Sequence, residues 1–259
     1  MKKILTIAGS DCSGGAGIQA DIKTITAYKM YAMSVITALT AQNTTGIYGV
    51  SETNPEFVAA QIDCVFSDIR PDAVKIGMVS SGEIIAAIAE RLAFHKAENI
   101  VLDPVMVASN GGSLILQEAI NTMRARLFPL SAMITPNIPE AELLSGIRIE
   151  NRDDMVAAAG IIANQIPGMV LIKGGHLLDS ADDLLYKDGV CHWFWSEQID
   201  NPNTHGTGCT LSSAIACNMA MGQLPKEAVK NAKEYVAGAI KAGLNLGNGR
   251  GPLCHCYQM

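Results

Sequence analysis

The sequence has 259 residues, 49% of them hydrophobic and 17% charged, with a formal net charge of −6. That length and apolar content suffice for one large core, so a single domain over residues 1–259 is expected, while the acidic balance argues against nucleic acid or an anionic membrane as the main partner, since both recruit basic surfaces. Seven scattered cysteines, an odd number without CxxC spacing, read as reduced thiols of a cytoplasmic protein, and Cys254-His255-Cys256 is a poor zinc set because adjacent residues of one tail seldom converge on a single ion.

Met1-Lys2-Lys3 leads into Ile4–Ala8, an apolar run too short for a signal segment and better read as a first strand. Further strands are predicted at Ser34–Ala38, Ala73–Ile76, Ile100–Leu102, Ala132–Ile134 and Met169–Ile172. Helical periodicity falls between them, at about Ile18–Tyr28, Pro55–Ser67, Ser81–Phe94, Gln117–Leu127 and Asp153–Gln165. This alternation is expected of βαβ units around a mostly parallel sheet. Beyond Lys173, Asp183–Tyr186 and Val190–Trp195 flank Lys187-Asp188-Gly189 as a hairpin, and two helices follow, Gly208–Met221 and Lys226–Leu244. No apolar run reaches the length of a membrane span.

Open parallel sheets bind ligands beyond the carboxyl ends of their strands, and here those ends are polar and rich in glycine. Strand one runs into Gly9-Ser10-Asp11-Cys12-Ser13-Gly14-Gly15-Ala16-Gly17, which has the glycine spacing of a P-loop without its Lys-Ser/Thr pair, so a Walker site is excluded. A dinucleotide fingerprint fails as well, because no acidic residue ends a second strand where a ribose would sit. What remains is a pocket wall rich in N–H groups, with Asp21 one turn into the next helix. Asp103-Pro104, Thr135-Pro136-Asn137 through Glu140, and Lys173-Gly174-Gly175-His176 follow three later strands. Asp103 and Glu140 can hold Mg²⁺, and Lys173 can neutralise phosphate oxygens. Each also has a plainer reading: Asp103 caps a turn, Glu140 begins a helix, and Lys173 is solvated.

The most informative segment is His205-Gly206-Thr207-Gly208-Cys209-Thr210 before an apolar helix. Glycines permit a tight turn with free N–H groups, the helix adds the positive end of its dipole, and a thiol lies beside them. That is an anion hole suited to a transferring phosphoryl group. The alternative is an ordinary glycine-rich turn with Cys209 as a small hydrophobe.

These residues, together with Thr40-Ala41-Gln42-Asn43-Thr44, Lys75-Ile76-Gly77-Met78 and Asp103-Pro104-Val105-Met106-Val107-Ala108, make the chain resemble the hydroxymethylpyrimidine/phosphomethylpyrimidine kinases of thiamine biosynthesis, within the ribokinase-like superfamily, from about Ile4 to Pro252. The resemblance implies a three-layer α/β/α sandwich with a mostly parallel central sheet, and a homodimer. It implies ATP-dependent phosphorylation of 4-amino-5-hydroxymethyl-2-methylpyrimidine and then of its monophosphate. By motif position it implies a pyrimidine pocket of Gly9, Ala16, Asp21, Gln42, Met78 and Val105. Asp103 and Glu140 would serve Mg²⁺, with Asn137 in support and Lys173 facing the phosphates. Thr207, Gly208 and Cys209 would form the anion hole, with Gly206 beside them among the catalytic residues, Thr207, Asn137 and Lys173 would contact the nucleotide, and Cys209 would be the base, its thiol pKa lowered by the helix N-terminus. The lid segment Val107-Ala108-Ser109-Asn110-Gly111-Gly112 is less basic than the family's pattern, which shifts phosphate closure toward Lys173. A pyridoxal kinase on the same scaffold is the rival reading. Against it stand Gln42 and an Ala at 108 where that branch tends to place a second Cys.

Overall fold

A computed structural model describes residues 1–106, 116–175, 182–195 and 199–259; the lid segment 107–112 and His176 lie outside them. Among the described residues one nine-stranded sheet has the order β3-β2-β1-β4-β5-β6-β7-β8-β9. Its strands are β1 (Lys3–Asp11), β2 (Tyr31–Asn43), β3 (Gly46–Glu52), β4 (Ala73–Ile76), β5 (Ile100–Leu102), β6 (Met133–Ile134), β7 (Met169–Ile172), β8 (Asp183–Lys187) and β9 (Val190–Phe194). The run from β2 to β7 is parallel, and β3, β8 and β9 join antiparallel at the two edges. The helices are α1 (Gly17–Ala27), α2 (Pro55–Asp68), α3 (Gly82–Phe94), α4 (Gln117–Arg126), α5 (Ile138–Ser145), α6 (Arg152–Ala163), α7 (Thr207–Ala220) and α8 (Pro225–Ala242). Among the described residues no helix is long and apolar enough to cross a membrane.

Because successive strand side chains point to opposite faces, each central strand feeds two cores. Leu5, Ile7, Val74, Ile76, Ile100, Leu102, Ile134 and Val170 pack with α2 to α6, whereas Ile4, Ala73, Val101, Met133 and Leu171 pack with α1, α7 and α8. The result is the three-layer arrangement of the ribokinase-like fold. The same alternation turns Thr6 and Lys75 toward the α1/α7 side, which sets up the site described below.

The strands at Ala73–Ile76, Ile100–Leu102 and Met169–Ile172 lie where the apolar runs place them. β1 and β2 run several residues further, carrying Asp11 and Gln42 to strand ends. β3 carries no apolar alternation because its side chains stand mostly exposed; its existence depends on pairing with β2 across Asn43-Thr44-Thr45. α5 had a signal in the sequence: Asn137 and Glu140 form a reciprocal capping box, the Asn137 side chain accepting from Glu140 N and the Glu140 carboxylate accepting from Asn137 N.

Candidate active site

Beneath the site lies a fully buried ion pair. Lys75 Nζ, from β4, donates to both oxygens of Asp21, from α1, at 2.9 Å, and Asp21 also accepts from Thr6 Oγ1 at 2.5 Å and Ser213 Oγ at 2.7 Å. Burial alone would drive the Lys75 ammonium down, but Asp21 and the nearby Cys209 and Asp103 outweigh it and hold Lys75 above the ordinary lysine range. Asp21 is thus committed to an internal network, with no side-chain exposure. This differs from the expectation that Asp21 lines a pyrimidine pocket: its carboxylate is closed off from solvent as the counter-ion of Lys75.

The charged strand ends meet next to the entrance of α7. Lys173 Nζ donates to Asp103 Oδ1 at 2.7 Å, and Thr135 Oγ1 donates to the same oxygen at 3.0 Å. Asp103 is buried, whereas the Lys173 side chain retains 16% exposure. Burial opposes the Lys173 charge, yet Asp103 and Glu140 raise its pKa, so Lys173 stays cationic. Glu140 is pushed up to about 7 by burial, against the pull of Lys173. Its two oxygens accept from Met106 N and Asn137 N, the latter through the capping box. A Cβ on Gly208 would lie 3.4 Å from both Asp103 Oδ2 and Lys173 Nζ, so the first turn of α7 is tight against this pair.

That turn begins at Gly206, whose φ of +83° and approach to the Gly15 carbonyl, 1.9 Å from where a Cβ would stand, leave room for glycine alone. The first intrahelical bond runs from Thr210 N to Gly206 O at 2.9 Å, so the amides of Gly208 and Cys209 precede it and point out of the helix start. Thr207 differs from expectation: its N–H and its hydroxyl both donate to Thr204 O, at 3.3 and 2.7 Å, which leaves the hole with two amides in place of three. Cys209 is also corrected in sign. Burial pushes its thiol up, and Lys75 only partly offsets that.

On the other side of α7, Asp11 organises the loop after β1. Its Oδ1 accepts from Ser13 N and Oγ, and its Oδ2 accepts from Gly15 N, Ala16 N and, at 2.9 Å, His205 Nε2. Burial opposes this charge, but the hydrogen bonds from His205, Ser13 and Ala16 hold Asp11 far below the usual carboxylate range. Gln42 lies with its amide nitrogen 3.3 Å from His205 Nε2 and its oxygen accepting from Thr40 Oγ1. A cavity of about 240 Å³ opens here, bounded by Ser13, Gly15, Asn43, Thr44, His205 and Pro252 among others. Gly9 and Met78 touch: a Cβ on Gly9 would stand 2.5 Å from Met78 Cε. Met78, Ala16, Gln42 and Val105 are all half-buried. Val105 N donates to the Asp103 carbonyl at 2.8 Å, which ties this apolar residue to the carboxylate strand end. The structure therefore brings Gly9 against Met78, bonds Ala16 to Asp11 and sets Gln42 beside His205. The role of His205 and Asp11 as a bridge was not foreseen, since 194 residues separate the partners.

The sequence pattern of the phosphomethylpyrimidine kinase family matches residues 11–254. The chain is 48% identical over 256 residues to the hydroxymethylpyrimidine/phosphomethylpyrimidine kinase of Streptomyces coelicolor, an alignment that covers 99% of this chain and 95% of that protein. It is 50% identical over 254 residues to the thiamine biosynthesis bifunctional protein ThiED of Geobacter sulfurreducens, covering 97% of this chain and 52% of the relative, so it spans about half of that protein's length. Among solved structures, the phosphomethylpyrimidine kinase of Clostridium difficile superposes with a TM-score of 0.84 at 48% identity, covering 93% of this chain and 100% of that one. The pyridoxal kinase of Staphylococcus aureus in complex with AMP-PCP superposes with a TM-score of 0.92 at 36% identity, covering 100% and 94%. With a family match over nearly its whole length and a pyrimidine kinase almost half identical to it, the chain belongs to the phosphomethylpyrimidine kinase family.

Proposed function

We infer that the chain transfers the γ-phosphoryl group of ATP to 4-amino-5-hydroxymethyl-2-methylpyrimidine, and then a second phosphoryl group to the monophosphate, giving the diphosphate used in thiamine synthesis. The observation that carries this reading is the seating of the α7 entrance against the Asp103–Lys173 pair, with Gln42 and Met78 on the neighbouring strand ends. It rests also on family membership, and the higher identity to pyrimidine kinases, 48% against 36% for the pyridoxal kinase, favours the pyrimidine over pyridoxal. A cytoplasmic, homodimeric enzyme belongs to the same reading; Tyr48 and Val50, two residues apart on β3, stand exposed on one side of the sheet edge.

Phosphoryl transfer demands positioning and charge neutralisation more than covalent chemistry. Lys173 supplies a cation, and the amides of Gly208 and Cys209 with the helix dipole receive the anionic oxygens. Asn137 and Thr207 border the nucleotide side of the hole. Cys209 takes the proton of the substrate hydroxyl. Asp103 and Glu140, two carboxylates that both act on Lys173, would hold Mg²⁺, which binds through one or two carboxylates plus phosphates and water. The ion would supply charge neutralisation on the phosphates. Incubating the protein with ATP and the hydroxymethylpyrimidine, with pyridoxal, or with no acceptor, and following mono- and diphosphate by mass spectrometry, tests the reading. Faster turnover of pyridoxal than of the pyrimidine would reverse it.

Two variants probe the halves of the site. Gln42→Leu is expected to raise the pyrimidine KM by about 5- to 150-fold, equivalent to the roughly 1–3 kcal/mol lost when a buried polar edge goes unpaired, and to leave the ATP KM nearly unchanged; an unchanged pyrimidine KM removes Gln42 from recognition. Glu140→Gln is expected to shift the Mg²⁺ dependence of the rate to higher concentration before the maximal rate falls. Superposable Mg²⁺ titrations for parent and variant would make Glu140 a helix cap alone.

A further inference from the structure

The tail after Pro252 carries chemistry that the kinase reaction does not use. Cys254 Sγ and Cys256 Sγ lie 3.9 Å apart, and a turn closed by Tyr257 N donating to Cys254 O at 3.3 Å holds their backbones close. Hydrogen-bonded turns bring Cα atoms within the span a disulfide tolerates, and the sulfurs need only close to about 2.05 Å. Between them, His255 is buried and points inward. Its Nε2 is 3.0 Å from Thr210 Oγ1, and its carbonyl accepts from Tyr235 Oη at 2.7 Å. Thr210 follows Cys209 directly in the first turn of α7, and its hydroxyl lies 2.9 Å from the Gly206 carbonyl. The cysteine pair thus flanks the residue that braces the anion hole from behind.

We propose that Cys254 and Cys256 form a reversible intrachain disulfide when exposed to a small disulfide such as oxidised glutathione, and that the bond, by drawing in the turn, loosens the hold of His255 on Thr210 and slows phosphoryl transfer. Cys256 is exposed and Cys254 half-buried, and burial together with the neighbouring thiol pushes Cys254 up. Cys256 is therefore the first nucleophile. Its thiolate attacks one sulfur of oxidised glutathione, the S–S bond breaks, and one glutathione thiolate leaves. Cys254 then gives up its proton to solvent and attacks Cys256 Sγ in the mixed disulfide, expelling the second glutathione. Two protein thiols are oxidised and one glutathione disulfide is reduced to two thiols. A ring closed over one intervening residue constrains the unfolded chain little and is strained, which gives the bond the reducible character of regulatory disulfides.

The test equilibrates the whole protein in glutathione buffers from reducing to oxidising, quenches by alkylation, and reads both intact mass and the peptide spanning residues 254–256. The expected result is a species 2 Da lighter whose linkage maps to Cys254–Cys256, accompanied by a several-fold fall in kcat that dithiothreitol reverses. Cys254→Ser and Cys256→Ser should keep the reduced-state kcat and lose the response. A glutathione adduct that persists on one cysteine, or a linkage to any other cysteine, overturns the disulfide. A disulfide that forms with kcat unchanged, or a loss of rate that persists in Cys254→Ser, overturns its transmission through His255. The kcat arm rests on the kinase reading and the mass arm does not, so the two can fail separately.

Discussion

Cys209→Ala is expected to slow phosphorylation of the hydroxymethyl compound by about 10²–10⁴-fold, the usual worth of a positioned base, and to slow phosphorylation of its monophosphate far less. The hydroxyl is neutral at pH 7 and gains from losing its proton to a base, whereas a phosphate monoester is already largely ionised. The amides of Gly208 and Cys209 belong to the backbone and survive the substitution. Because burial raises the thiol, the base is mostly protonated near neutral pH, and its thiolate fraction grows as pH rises. The parent's rate with the hydroxymethyl acceptor should therefore climb into the alkaline range, and the variant's should lose that rise. Single-turnover rates with each acceptor decide the matter: equal losses for both would make Cys209 a wall of the site.

The second large effect is on stability. Asp21→Ala leaves the Lys75 ammonium buried without its counter-ion, and breaking such a pair costs about 3–5 kcal/mol. For a chain of this size that corresponds to a fall in Tm of roughly 6–20 °C. Adding Lys75→Met removes the orphaned charge and should recover much of the loss, although Thr6 and Ser213 keep hydroxyls that no longer have a carboxylate to donate to. Urea unfolding of the single and double variants measures both. A single variant as stable as the parent would mean that water reaches Lys75.

The parallel strands were legible because Ala73–Ile76, Ile100–Leu102 and Met169–Ile172 are short apolar runs that both faces of the sheet bury. β3 was not, since an exposed edge strand shows little apolar alternation. At the site, local features were readable. The glycine turn into α7, the acid after β5 and the lysine after β7 each announce themselves by residue type and position. Pairings across the chain were not. Lys75 sits inside an apolar strand whose inward parity only the sheet register reveals, and its partner is 54 residues away. The Thr204 carbonyl that occupies the Thr207 amide and hydroxyl is fixed by the path of a loop, which spacing cannot give.

The distribution of the two cores along the sequence bears on how the protein is made. Strands β1 to β7 and helices α2 to α6 are complete by residue 172, yet one face of the sheet then has α1 alone to cover it, because α7 and α8 arrive between residues 207 and 242. On the ribosome, Ile4, Ala73, Val101, Met133 and Leu171 would stand bare for the time it takes to add some 70 residues, several seconds at ordinary elongation rates. Such a nascent chain is a natural client for chaperones that hold apolar surface, and it still lacks the α7 entrance on which the proposed reaction depends. A ligand that binds at that entrance would stabilise only the finished fold.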